Sequence, residues 1–164
     1  MKFITHINQA LICFALLFAI AETANAATPK GDQLIALVDG TVVPLVQSYI
    51  TATNNIAFDV VIIEDASLRK KLLAKYIKLG KWLKFEPKDA VTFKVGKGGG
   101  VYYDKATGEA VDVNTFDVIS REKNQCVVRW GRILSSVCGF TKIVTLNFTD
   151  NKWVVVGVKL ETVS

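Results

Sequence analysis

The chain has 164 residues, 51% of them hydrophobic, with 20 Lys and Arg against 15 Asp and Glu for a formal net charge of +5. That length suits one domain, burying about two thirds of the surface its unfolded chain exposes. Its one histidine, His6, lies in the first few residues, so removal of that segment excludes Ser-His-Asp and Cys-His catalysis and every His-containing zinc site.

The chain opens Met1-Lys2, runs through the apolar stretch ALICFALLFAIA (residues 10–21), turns polar at Glu22 and reaches Ala24-Asn25-Ala26. A basic start, a short apolar centre and an A-x-A ending predict a secretory signal peptide over residues 1–26 with cleavage after Ala26. Removing 26 of 164 residues leaves 138, still with net charge +5, because one Lys and one Glu go together. The expected location is the periplasm of a Gram-negative cell or the medium. There a mildly basic protein meets other envelope or secreted proteins, acidic ones among them, and not nucleic acid. No later run is long and apolar enough to predict a membrane-spanning helix.

Residues 27–40 are expected to be a flexible or partly helical start to a single α+β domain over 41–164. Val42, Val43, Leu45, Val46, Tyr49 and Ile50 predict a helix to about Thr53, capped by Thr41, with Pro44 in its first turn and Gly40 separating it from any earlier turn. Residues 58–63 have the β-branched content of a short strand, with a helical turn as the alternative. From Ser67, Leu68, Leu72, Tyr76, Leu79 and Leu83 fall on one helical face, capped by Asp65 or Ser67 and barred from continuing at Pro87. Lysines fan over the rest of that helix, Lys71, Lys75 and Lys78 among them, with no acidic residue between Arg69 and Leu83. This face is a candidate surface for an acidic partner.

The remainder alternates as β. VTFKV, GVYYDKATGEAV, the segment 115–119, QCVVRW, KIVTLNF and KWVVVGVKLETV predict strands, with turns at GKGGG, DKATGE and TDN. The glycine loop does not fit a phosphate cradle. Lys97 is followed by Gly98 where a Ser or Thr should hold magnesium, and a strand follows where a helix N-terminus is needed. Asp104, Glu109, Asp112 and Asp117 alternate with apolar residues, which places most of them in solvent, and no carboxylate pair earns acid and base roles from spacing alone. No catalytic residue, metal ligand set or cofactor is predicted.

Cys126 and Cys138 remain after signal removal, and an even pair in an oxidising compartment predicts a disulfide, worth about 3 kcal/mol. The loop between them, CVVRWGRILSSVC, carries Arg129, Trp130 and Arg132, residue types common in tight interfaces. For Trp130 the core is the better reading, since it shares a face with Cys126 and Val128, while the arginines are open to solvent or to an interface. Tyr103, Arg129, Trp130 and Trp153 are the alternative lining of a small-ligand pocket.

Helices first and a long meander last predict helices packed on one face of a curved antiparallel sheet. With LRKKLLAKYI and KIVTLNFTDNKWVVVGVKL carrying the likeness, the region from about 41 to 162 resembles the NTF2-like (cystatin-like) superfamily, especially its small secreted bacterial members. The glycine-rich hairpin at 96–113 is an insertion the simple form lacks. The resemblance implies a cone-shaped α+β fold that hosts enzymes, ligand pockets and adaptors alike. Two functions are therefore expected to compete: a non-catalytic envelope module that grips another protein, as toxin-neutralising immunity proteins do, and a small-molecule pocket, binding or enzymatic without histidine.

Overall fold

A computed structural model describes residues 28–52, 58–96, 99–134 and 139–163. The predicted signal peptide lies outside them, as does Cys138. The fold is α+β and mostly sheet, with eight strands in one sheet.

Helix α1 (Gly31–Leu37) passes without a break through a π-helical turn (Val38–Val42) into α2 (Val43–Ala52). Gly40 therefore does not separate two helices, and the helix starts eleven residues earlier than the pattern after Thr41 predicts. Pro44 explains the widened turn. Proline has no N–H and presses on the carbonyl four residues back. The Val43 N–H donating to Val38 O absorbs that misfit in one π turn. Thr41 caps nothing; its buried hydroxyl donates to Leu37 O at 2.6 Å. Leu34, Leu37, Val38, Val42 and Val46 recur at helical spacing and are buried against the sheet. Residues 31–51 have the length and composition to cross a membrane, contrary to the expectation that no run after the signal peptide would, and one face of them is buried in the core.

Strand β1 (Phe58–Ile62) leads to α3 (Ala66–Lys75), whose cap is Asp65, its carboxylate accepting from the Leu68 N–H at 3.0 Å. The α-helix stops at Lys75 and a 3-10 turn (Ile77–Leu79) follows, so Leu83 is not its last apolar position. Leu83 opens β2 (Leu83–Glu86) instead. A strand–helix–strand crossover returns the chain to the end it left, which makes neighbouring strands parallel. Accordingly β1 pairs parallel with β2 and with β5 (Ala110–Arg121), so the sheet is mixed where an antiparallel one is expected.

Strands β3 (Val91–Gly96) and β4 (Gly99–Asp104) form the glycine hairpin, with Gly96 opposite Gly99, and β4 pairs with the start of β5. From β5 the chain meanders antiparallel through β6 (Gln125–Ile133), β7 (Gly139–Thr149) and β8 (Lys152–Val163), giving the order β2-β1-β5-β6-β7-β8. Asp150 and Asn151 both take positive φ, 50° and 59°, as a two-residue hairpin turn requires.

Opposed residues share a face of a sheet. The helix-bearing face carries Val61, Phe85, Phe116, Val128, Val144 and Leu146 in one core with the helices. The other face is covered at one end only, where Val60, Val91, Val111 and Val113 form a second, smaller core with Tyr102.

Asp104, expected in solvent, is buried at the end of β4. It accepts from Lys84 Nζ at 2.7 Å and from the Ala106 and Thr107 N–H groups at 2.7 and 3.2 Å, with Gly108 at φ 72° completing the turn. The hydrogen bond from Lys84 holds its carboxyl below the ordinary value of 3.8, against the opposing effect of burial. A depressed folded pKa adds stability above the ordinary value and loses it as pH falls through the folded one. Asp104→Asn is expected to lose about 1 kcal/mol at neutral pH. The gap from wild type should close in urea titrations below pH 3.8.

Candidate functional site

The densest polar cluster lies inside the fold, where α2 crosses β1, β5 and β6. Arg132 reaches it from β6 with its side chain only 4% exposed. Its Nε and Nη2 donate to the two oxygens of Asp59 at 3.0 and 3.1 Å, and Nη2 also donates to Asp112 at 2.8 Å. Nη1 donates to the Tyr49 hydroxyl from α2 at 3.2 Å, with the guanidinium 5.2 Å from that ring's centre. Asn114 Nδ2 donates to Asp59 at 2.7 Å, and its Oδ1 accepts from the Trp130 indole N–H at 3.0 Å.

Local pattern explains how the cluster arises. Asp59 opposes Asp112, and Asn114 opposes Arg132, so four polar residues fall in adjacent rows of the helix-bearing face. Burial acts to lower the Arg132 pKa, but the hydrogen bonds and charges of Asp59 and Asp112 outweigh it and hold it above its ordinary value. Arg132 stays charged, and its nitrogens are already directed at Asp59, Asp112 and Tyr49. The trio is a closed ionic network that fixes α2 on the sheet. No buried side-chain polar atom among the described residues lacks a partner, and no group of three His, Cys, Asp or Glu among them could hold a metal.

The residues singled out from the sequence separate. Trp130 is buried, edge-on to Phe140 with ring centres 4.9 Å apart. Arg129 points to the opposite face, exposed and bonded to Glu161 at 3.0 and 3.3 Å. That hydrogen bond raises the Arg129 pKa, while burial raises that of Asp117, its neighbour across β5. Tyr103 lies on the β3–β4 hairpin under the Lys94 ammonium, and Trp153 packs on Phe148 beside the last turn. Four lining residues of one pocket they are not.

Of the two cysteines expected to pair, Cys126 is buried on β6 and Cys138 lies outside the described residues.

The sequence reading puts Asp112 among the solvent-facing carboxylates and Tyr49 among the apolar positions of a helix, and gives Asp59 and Asn114 no role. The available signal was a lone acid in the otherwise apolar FDVVII and the acid and amide in VDVN, polar residues on the face that the next strand fills with Trp130.

Lys70, Lys71 and Lys75 lie on α3, while Lys78 and Lys81, expected on the same helix, follow its end. Lys70, Lys71, Lys78 and Lys81 are exposed, and none has a carboxylate within ion-pair distance among the described residues. Lys75 differs, since it pairs with Asp39 at 2.5 Å. Tyr76 bonds the same Asp39 and has its pKa raised, first by burial and then by that carboxylate. Among the lysines stand Leu73 and Ile77, 47% and 77% exposed.

Comparison of the chain with family models, with curated proteins and with solved structures finds no match.

Proposed function

We propose that this protein is a non-catalytic binding module of the periplasm or the medium, gripping an acidic partner protein through α3 and the turn after it. One observation carries the reading. Four unpaired lysines surround two exposed aliphatic side chains, Leu73 and Ile77, a combination that gives both electrostatic steering and a dry contact. The closed ionic network under α2 fits a structural role better than a reacting one. Immunity to a toxin and envelope assembly are the two settings we propose for such a module. We also propose the NTF2-like cone for its architecture, supported by the order of helices and strands.

The test is retention on partner proteins captured at low salt from the host's envelope or medium. Charge reversal of Lys70, Lys71 and Lys78 together should cut association at least about tenfold and flatten its salt dependence. These three are chosen because Lys75 is already engaged by Asp39. Equal capture by wild type and triple variant would overturn the reading.

A further inference from the structure

The helix crosses the sheet obliquely. Near its middle Gly40 lies against Val155 of β8, and at its far end Tyr49 lies over Arg132. Strand register puts another set on the same face. Trp130 opposes Lys142, which opposes Leu160; Arg132 opposes Phe140, which opposes Val163; and Val144 opposes Val158. Yet Val158, Leu160 and Val163 are 47%, 53% and 67% exposed while Val144 is fully buried. Among the described residues, one corner of the helix-bearing face therefore stays uncovered.

Lys142 stands in that corner. Its ammonium lies 4.5 Å from the centre of the Phe140 ring and 5.3 Å from that of Trp130. No carboxylate among the described residues pairs with it. The other two cations nearby are spent, Arg132 on Asp59 and Asp112, and Arg129 on Glu161 across the sheet. The corner thus presents a single available positive charge beside an aliphatic strip along β8.

We infer that this corner binds a long-chain carboxylate, its head accepting from Lys142 and its alkyl chain lying along Val158, Leu160 and Val163. Charge complementarity selects the class. A cationic amphiphile meets repulsion, and a neutral one covers the ammonium without giving it an acceptor.

Titration calorimetry with monomeric dodecanoate tests the assignment. Saturable binding of one molecule per chain is expected, with a change in tryptophan emission because Trp130 lies beneath Lys142. Each methylene removed from the acid should weaken binding about fourfold. Lys142→Gln should weaken it about tenfold or more, and Leu160→Asp should do likewise, circular dichroism showing both folded. Charge reversal at Lys70, Lys71 and Lys78 should leave dodecanoate binding unchanged, so this site and the α3 surface succeed or fail separately. The inference is overturned by absence of saturable binding, by dodecylammonium binding as tightly as dodecanoate, or by Lys142→Gln binding as well as wild type. A dimer that Leu160→Asp dissociates would also overturn it, assigning the corner to a second copy.

Discussion

Arg132→Met is expected to destabilise the protein by about 3–5 kcal/mol, the range for breaking a buried ion pair from one side. The methionine fills much of the same volume, so the loss comes from charge and not from a cavity. It leaves Asp59 fully buried and Asp112 nearly so, each without its guanidinium. Against a typical total of about 5–15 kcal/mol that loss is a large fraction, and the urea midpoint should fall in proportion. Asp112→Asn should cost less, because Arg132 keeps its two bonds to Asp59. Replacing Arg132, Asp59 and Asp112 together by apolar residues should recover most of the loss, since buried ionic networks are often matched by well-packed hydrophobic ones. A loss below about 1 kcal/mol for Arg132→Met would mean that water reaches the network. The cluster would then be an open site and not a structural pin.

That distinction bears on how the chain divides between structure and function. Arg and Trp in one short loop invite an interface reading, because both are enriched where proteins meet. Here Trp130 and Arg132 point inward and Arg129 outward, and the pleat decides it. Arg129 and Trp130 are adjacent in sequence and face opposite sides of β6, so only register could tell which of them meets solvent. Asp59 and Asp112 were hidden by the opposite assumption, that an acid in an alternating strand faces water. The rule fails where an arginine on the next strand supplies the charge. The only local trace of such long-range pairing is an odd polar residue in an apolar strand, which does not name its partner.

Most strands were legible, since alternation and turn chemistry are local. Asp104 bonds its own turn beside Gly108 at positive φ, and Asp150-Asn151 makes a tight hairpin. Strand direction was less so. The helix between β1 and β2 was readable, but β2 was not, because Leu83 fits the helical spacing, and the parallel crossover was missed with it. The antiparallel meander that follows dominates the pattern, and β5 joins the two halves by pairing parallel to β1 and antiparallel to β6. The lysine face of α3 was legible because exposure on a short amphipathic helix follows from its spacing. The uncovered corner around Lys142 was not. It depends on the angle at which the helix crosses the sheet.

That angle is tested by Gly40→Ala. In an open helix interior the change from glycine to alanine stabilises by about 1 kcal/mol. At position 40 the added Cβ would fall 2.6 Å from Cγ2 and 2.9 Å from Cβ of Val155. Valine is stiff at χ1, and Val155 is held in β8 opposite Leu146, so it cannot turn aside. The expected result is a reversal of sign, a loss of about 1–3 kcal/mol in equilibrium unfolding. Val155→Ala alone should also destabilise, because it empties space beside Trp153 and the helix. Combined, the two changes should cost less than their sum, since the smaller side chain on β8 makes room for the new methyl. A stabilising Gly40→Ala would mean that the helix does not rest on β8 at this point. In that case the exposure of Val158 and Leu160, and with it the proposed carboxylate site, would lose its geometric basis.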